Sequence, residues 1–481
     1  MVVQHNMQAA NANRMLNVTT SAQSKSTEKL SSGYRINRAA DDAAGLTISE
    51  KMRKQIKGLD QASTNAQDGV SSVQTAEGAL TEVHSMLQRM NELATQAANG
   101  TNSKDSDRQA IQDEIDQLTT EIDRVSETTK FNETYLLKGE AGTKTINMKA
   151  HDAGLKGTLT DNGDGTATFV MDALNAGDKV SIGGKSYTIG ATKADTDKLI
   201  DKALADTTHK DIIINGDTYK YIAAAGNNDD TDVANAKGGY YKDGVVDKKN
   251  STAKDATALK GIAGAGATVS AAGKEITSMN ATDAAAGVKS NDSTVITTDK
   301  AYELARKELL AANSIGDTKG SSNVENANTN ADGSFKITLG QADVANSLSF
   351  SLHVGADADM TNKIQVNIDA MDSASLGIKG LNVKDDSGNA ATYAVDAISD
   401  AISKVSSQRS SLGAVQNRLE HTINNLDNVV ENTTTAESRI RDTDMASEMV
   451  NYSKNNILAQ AGQSMLAQAN QSNQGVLSLL Q

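Results

Sequence analysis

The chain has 481 residues, 38% of them hydrophobic and 22% charged, so it is long enough for several folded domains and is not disordered as a whole. A formal net charge of -14 argues against nucleic acid and anionic membranes as partners, because both attract basic surfaces. The chain has no cysteine and no proline, which excludes disulfides and thiolate metal sites and leaves no proline to interrupt a long helix.

The first sixteen residues, MVVQHNMQAANANRML, have no basic residue before Arg14 and no continuous apolar run. They therefore lack the pattern of a cleaved secretory signal peptide. No stretch of about 18 apolar residues is present, so no membrane-spanning helix is expected. A cytoplasmic protein and a protein exported by a dedicated route both fit these observations.

The two chain ends are apolar and almost free of charge. Residues 1–13 and 455–481 contain no Asp, Glu, Lys or Arg, yet both keep apolar residues at helical spacing. Chain ends are usually frayed and polar, so these ends are predicted to order when they meet other copies of the chain. The residues expected to carry assembly are Val3, Met7, Leu16, Leu458, Met465, Leu466, Val476, Leu477, Leu479 and Leu480.

After a joint at Gly33, the pattern becomes a heptad repeat. One track is Leu59, Ala66, Val73, Leu80, Leu87 and Ala94, and it predicts a helix of about 45 residues from Met52 to the Asn99-Gly100 stop. A second helix follows with apolar residues at Ile111, Ile115, Leu118, Ile122 and Val125, and its short connection predicts an antiparallel neighbour.

From residue 141 to 347 the composition shifts to Gly, Thr, Asp and Lys. Hairpins are predicted at 182–189 and 214–221, with turns at Gly183-Gly184 and Asn215-Gly216, and the DNGDG run at 161–165 is interpreted as a further hairpin turn. Helices are predicted at 195–206 and 300–313, and residues 226–287 receive no assignment. Strands at 350–354 and 364–368 follow this insert.

A second heptad seam begins at Ile398 and continues through Val405, Leu412, Leu419 and Leu426. The predicted fold is therefore a mainly α core of long heptad helices formed by both chain ends, with a small β-hairpin region and an inserted β-rich or α+β outer region. We expect three parts: a terminal helical domain (1–42 and 441–481), a helical core layer with the hairpin (43–140 and 348–440), and an exposed insert (141–347).

No catalytic, cofactor or metal site is predicted. The six histidines are isolated in the sequence, no H-E-x-x-H zinc motif occurs, and neither a G-x-S-x-G elbow nor a phosphate-binding loop is present. DNGDG also lacks the spacing and the final Glu of a calcium loop.

Both ends resemble bacterial flagellin. The matching segments are KLSSGYRINRAADDAAGL, NAQDGVSSVQTAEGAL, LQRMNELATQAANGT and EIDRVSETTKFN in the first part, and SLGAVQNRLEHTINNL, AESRIRDTDMASEMV and SMLAQANQSNQGVLSLLQ in the last. The resemblance implies an extracellular filament subunit that is exported unfolded through the flagellar channel, without a cleaved signal peptide, and that assembles with itself through its terminal helices. It also implies the flagellar cap, the hook junction and an export chaperone as partners.

The same resemblance implies recognition by the innate immune receptor Toll-like receptor 5, with matching positions at Arg89, Leu93 and Glu114. The alternative function is that of a surface adhesin or immune-modulating binding module that uses the central insert. An enzymatic function would need a site in the insert, where the sequence offers no catalytic set.

Overall fold

The computed structural model describes residues 6–101, 103, 106–206, 211–224, 238–245, 253–327, 333–385 and 387–478, the last six as backbone only. The described helices are α1 Met7–Ser32, α2 Ala43–Ala97, α3 Asp107–Thr128, α4 Lys193–Leu204, α5 Ala256–Ile262, α6 Ala281–Ala286, α7 Thr298–Asn313, α8 Ser373–Leu376, α9 Asn389–Arg441 and α10 Met445–Ser478. A 3-10 turn covers Met360–Asn362.

The described strands are β1 Lys130–Phe131, β2 Thr134–Tyr135, β3 Glu140–Asn147, β4 Gly157–Asp161, β5 Thr166–Met171, β6 Lys179–Ile182, β7 Lys185–Ile189, β8 Ile212–Ile214, β9 Asp217–Ile222, β10 Gly239–Lys242, β11 Thr268–Ala271, β12 Lys274–Thr277, β13 Val288–Lys289, β14 Asp292–Ile296, β15 Asn323–Asn326, β16 Ser334–Thr338, β17 Gln341–Asn346, β18 Leu348–His353 and β19 Lys363–Ile368. The predicted fold class is confirmed, because long helices come from both ends of the chain and the strands concentrate between them.

The chain forms two compact units, and the first comprises residues 1–74, 349–366 and 411–481. Its core contains Ala66 of α2, Leu419 of α9 and Ile364 of β19, which belong to the predicted heptad seam and the predicted strand pair. Gly69 allows the hairpin to approach α2 closely, because a Cβ there would lie 2.2 Å from a methyl carbon of Leu352. Polar contacts add to this packing, as Ser63 donates to Asp427 over 3.1 Å.

The second unit comprises residues 75–348 and 367–410, and its helical part buries the rest of both heptad seams. Leu80, Leu87, Ile115, Ile398 and Val405 are fully buried. A buried arginine joins three segments of this unit: Arg108, only 2% exposed, donates to the carbonyl oxygens of Ala97 (2.8 Å), Asp385 (2.8 Å) and Asn99 (3.3 Å). The guanidinium therefore bonds the last turn of α2 and the loop before α9.

The rest of the second unit holds three larger sheets. Their strand orders are β15-β16-β5-β4, β13-β14-β7-β6 and β10-β9-β8-β11-β12, and all pairings are antiparallel except β14 with β7. One core, which includes Phe169, Tyr302 and Phe335, lies among the first two sheets and α7. A second core, which includes Ile200, Ile212 and Val269, lies between the five-stranded sheet and the helices α4 and α5.

The insert leaves and rejoins the helical part through a two-stranded stem. β3 and β17 pair antiparallel from Gln341 opposite Asn147 to Asn346 opposite Glu140. The two ends of the segment 141–347 therefore lie on adjacent strands. Such neighbouring ends are the condition under which a surface insertion is tolerated.

Most local predictions for the insert are confirmed. The turns at Gly183-Gly184 and Asn215-Gly216 close the hairpins β6–β7 and β8–β9, and DNGDG connects β4 to β5. The predicted helices correspond to α4 and α7. The two long helices begin earlier than expected, at Ala43 rather than Met52 and at Asn389 rather than Ile398.

Candidate assembly surface

Helices α1 and α10 begin with local capping contacts. Asn6 precedes α1, and its side chain accepts a hydrogen bond from the Ala9 N–H at 2.9 Å, which satisfies one unpaired donor of the first turn. Gly33 ends α1 in the left-handed conformation at φ 75°, and its N–H donates to Lys29. Before α10, Asp444 accepts from the N–H groups of Ala446 (3.0 Å) and Ser447 (3.1 Å).

The two terminal helices pack against each other within the first unit. The Asn6 amide donates to the Ala469 carbonyl over 3.2 Å, and Lys29 lies 3.9 Å from the Glu448 carboxylate. A Cβ placed on Gly462 would lie 3.4 Å from Leu16, an ordinary van der Waals distance. A small residue at this position therefore permits close approach of the two helices.

A joint connects this helix pair to α2 and α9. The Arg35 N–H donates to the Arg441 carbonyl (2.6 Å), and the Thr443 N–H donates to the Gly33 carbonyl (2.9 Å). The Arg441 guanidinium lies 4.8 Å from the centroid of the Tyr34 ring and donates to Glu50 at 2.7 Å, and this hydrogen bond lowers the pKa of the Glu50 carboxyl. The connection between α1 and α2 is thus hydrogen-bonded to the connection between α9 and α10.

The terminal helices expose an unusual amount of apolar surface. Met7 is 75% exposed and Met465 is 60% exposed. Among the described side chains, only Ser26 of α1 and Ala459 of α10 are buried. Nine large apolar side chains of these helices are exposed: Met7, Met15, Val18, Met445, Met449, Val450, Ile457, Leu458 and Met465. Large apolar side chains exposed in such number on two packed helices are typical of an interaction site.

A groove runs along the line where α1 and α10 meet. Its volume is about 770 Å³, and its lining includes Ala12, Met15, Leu16, Leu458, Ala461 and Met465. The lining is mostly apolar and contains no charged side chain. The groove can therefore accept an apolar ridge of another helix by van der Waals packing rather than by ion pairing. We call the groove together with the nine exposed side chains the terminal surface.

The structure brings most of the predicted assembly residues onto these two helices. Met7, Leu458 and Met465 are exposed, whereas Leu16 and Leu466 are half-buried. Val476 and Leu477 lie in α10, where only the backbone is described, and Val3, Leu479 and Leu480 lie outside the described residues. The sequence prediction omitted Met449 and Val450, although their apolar character next to the Asp444 cap could have placed them at the start of α10.

The second predicted site lies on α2 and α3 in the second unit, and its three residues do not share one surface. The Arg89 Nε donates to Glu114 over 2.9 Å and its Nη1 donates to Glu92 over 3.3 Å. Hydrogen bonding to Glu114, then to Glu92, raises the pKa of Arg89. About half of the Arg89 and Glu114 side chains is exposed. Leu93, in contrast, is only 2% exposed, so it has no free surface for the direct apolar contact expected of it.

Within the described part of the chain, no group of three or more His, Asp or Glu side chains is arranged to hold a metal ion. The helices in that part also include none that is both long and apolar enough to cross a membrane.

The chain is similar to known proteins over its whole length. The sequence profile of the bacterial flagellin N-terminal helical region matches residues 3–142, and that of the bacterial flagellin C-terminal helical region matches residues 395–480. A flagellin of Clostridium tyrobutyricum is 39% identical over 477 residues, which are 98% of this chain and 100% of that protein. A flagellin of Bacillus subtilis is 36% identical over 481 residues, covering 100% of both chains. Flagellin D of Vibrio cholerae is 34% identical over 478 residues, 99% of each.

Proposed function

This chain belongs to the bacterial flagellin family and is a structural subunit of the extracellular flagellar filament, and from that premise we propose that it polymerises through its terminal surface. The observation that carries the proposal is the row of exposed apolar side chains on α1 and α10 beside an uncharged apolar groove. Filament growth would cover these side chains with the same helices of neighbouring subunits.

The energy available from this burial supports the proposal. Full burial of one large aliphatic or methionine side chain contributes about 1.5 to 3 kcal/mol. Nine such side chains are exposed in the single chain, so partial burial of the set can offset the loss of translational freedom on association. We also propose that the segments 1–42 and 441–481 reach their final order only in the polymer, because so few of their described side chains are buried in the single chain.

A charge placed on the terminal surface tests this proposal. Ile457, exposed on α10, is replaced by lysine in the full chain, and Val170, an exposed apolar residue of strand β5 in the insert, is replaced in the same way as the matched control. Sedimentation should recover filaments of the Val170→Lys protein and leave Ile457→Lys in the supernatant, because an ammonium group is costly to bury in an apolar contact. Normal filaments from Ile457→Lys would refute the terminal surface as the subunit contact.

Export as an unfolded chain is the second part of the proposal. A chain without proline and cysteine has no slow X-Pro isomerisation and no thiol to mispair when it refolds outside the cell. By family resemblance, an export chaperone acts before this step, and the cap and hook-junction proteins contact the subunit afterwards. Fusing the chain to a very stable domain should block its secretion, whereas a destabilised variant of the same domain should pass. Equal secretion of both fusions would contradict unfolded export.

We further propose that Toll-like receptor 5 recognises the surface around Arg89 and Glu114. Their hydrogen bond fixes the guanidinium between α3 and Glu92 while leaving it half exposed, and fixed arginines are frequent centres of protein interfaces. Leu93 contributes by packing in the helical core beneath this surface. The receptor would thus contact the surface of the packed helices α2 and α3 rather than the Leu93 side chain.

Surface plasmon resonance with the receptor ectodomain tests this recognition. Arg89→Ala should weaken binding by about 2 kcal/mol or more. Arg124→Ala is the matched control, because Arg124 is an exposed arginine on α3 that pairs with Glu121 over 2.5 Å. Leu93→Ala should lower thermal stability, since it removes a buried side chain. Unchanged binding by Arg89→Ala, or an equal loss with Arg124→Ala, would contradict the assignment.

A further inference from the structure

A cavity in the second unit shares no lining residue with the terminal surface or with the Arg89–Glu114 pair. Its volume is about 360 Å³, and it opens between the end of β3, the short helix α8 and the first half of α9. Met148, Ile315, Leu376 and Ala397 are among the apolar residues that line it, and Lys149, Asp400 and Lys404 are charged residues in the lining. Small-molecule sites commonly have volumes of roughly 300 to 1,000 Å³, mostly apolar walls and a few convergent polar groups.

Two side-chain oxygens of this cavity, one each from Asp400 and Ser375, lack hydrogen-bond partners among the described residues. Asp400 accepts from Lys149 at its Oδ1 over 2.8 Å, but its buried Oδ2 has no hydrogen bond, and the nearest cationic candidate, His151 Nε2, is 3.7 Å away. Ser375 is only 4% exposed, and its hydroxyl also has no partner. Buried oxygens without partners are uncommon, and each calls for a donor that the folded chain does not supply.

Lys404 lies one helical turn beyond Asp400 on α9. Its ammonium donates to the Ser375 carbonyl over 2.5 Å, and among the described residues no carboxylate lies within 4.0 Å of it. Although much of the side chain is exposed, protein atoms crowd the ammonium group, and this desolvation lowers the pKa of Lys404. A partly desolvated cation without an ion-pair partner favours an anion beside it.

We propose that this cavity binds a free α-amino acid with an apolar side chain, whose ammonium group meets Asp400 and whose carboxylate meets Lys404. Residues four apart on a helix have Cβ atoms about 6 Å apart on one face, so their end groups can converge on the two charges carried by a single α-carbon. Rotation of the Asp400 carboxylate about its soft Cβ–Cγ bond moves both oxygens together, so that one of them can accept from the ligand ammonium while the other stays near Lys149. The ligand side chain then packs on Met148, Ile315 and Leu376.

Saturation-transfer difference NMR with the full chain and L-leucine tests the proposal. The methyl protons of leucine should receive saturation from the protein, and N-acetyl-L-leucine amide, which lacks both charges, should receive little. Asp400→Asn and Lys404→Met should each weaken leucine binding at least tenfold. Glu431→Gln is the matched control, because Glu431 is an exposed carboxylate on α9 outside the cavity, and it should leave binding unchanged.

Ala397→Leu tests the proposal in a second way, because it fills the cavity without removing a charge. It should also abolish saturation transfer to leucine. Circular dichroism melting curves identify any variant that fails to fold, in which case the remaining variants decide. No saturation transfer to leucine with the native chain would mean that the cavity holds only water and would overturn the proposal. Equal transfer to leucine and its uncharged derivative, or binding that survives both Asp400→Asn and Lys404→Met, would overturn it as well.

Discussion

The buried guanidinium of Arg108 yields the sharpest stability prediction. Replacing Arg108 with methionine keeps much of the aliphatic volume but removes the donors to Ala97, Asp385 and Asn99. The Ala97 and Asp385 carbonyls then lose a partner inside the protein, whereas exposed Asn99 can turn to water. Each unpaired buried carbonyl costs about 1 to 3 kcal/mol.

The net cost should be smaller than the sum of these terms. Burying a charged guanidinium is itself unfavourable, and methionine removes that desolvation cost. We therefore expect Arg108→Met to destabilise the junction of α2, α3 and the loop before α9 by about 2 to 4 kcal/mol. Because about 1.4 kcal/mol corresponds to a factor of ten, amide protection in α3 should fall about 30- to 1,000-fold.

Hydrogen exchange followed by mass spectrometry measures this change locally, which matters because a chain with two units need not unfold in one step. Arg124→Met is the control on the same helix. Its ion pair with Glu121 is exposed to solvent and should contribute little to stability. If both variants lose protection equally, or if Arg108→Met keeps native protection, the three carbonyl contacts are not what holds this junction.

Three further predictions concern assembly and pH. Deleting residues 471–481 should leave a folded monomer that does not sediment as filaments, because it removes the apolar side chains Val476, Leu477, Leu479 and Leu480 from the uncharged end; polymers of the truncated chain would disprove this. Excising residues 141–347 should still allow filaments, since the pairing of Glu140 with Asn346 brings the two ends of the excised segment close enough to be joined; loss of assembly with intact helical circular dichroism would show that the insert supplies contacts. Partial burial opposes the charge of Asp317, but N–H donors from Ser322 and Gln341 prevail and hold its pKa at about 2, below the usual 3.8. Asp317→Asn should therefore melt below the native chain at neutral pH, with the gap closing as the pH falls from about 4 to 2; a gap independent of pH would refute this role.

The long helices could be predicted because their heptad repeats recur over many turns and do not depend on distant contacts. The start of α9 could not be predicted in this way. Its first turns bury Ala391, Ala394 and Ala397, and the hydrophobicity of alanine differs little from that of its polar neighbours. The resemblance to flagellin implies a receptor contact at Leu93, but the side chain is buried. In that part of the helix α2 buries Leu93 together with Ala94, which is a wider stripe than a single two-helix seam requires.

Part of the terminal surface could be predicted, since the uncharged chain ends with apolar residues at helical spacing identify Met7, Leu458 and Met465, whereas Met449 and Val450 were missed. The Arg108 contacts and the cavity on α9 could not be predicted from the sequence, because each depends on segments far apart in the chain. Arg108 and its acceptor Asp385 are separated by 277 residues, and Lys404 is 29 residues from Ser375. The hydrophobic periodicity of a single segment carries no information about such distant pairs.

The stem formed by β3 and β17 has a mechanical consequence. Drag on the insert in flowing liquid pulls both strands in the same direction, so little force acts between them and the covalent backbone of each strand carries the tension along the stem. Pulling residues 139 and 347 apart is different, because the opening begins at the Glu140–Asn346 end and breaks one pair of hydrogen bonds at a time. The stem should therefore withstand rotation in a viscous medium, yet open at low force when a chain is drawn out by its ends.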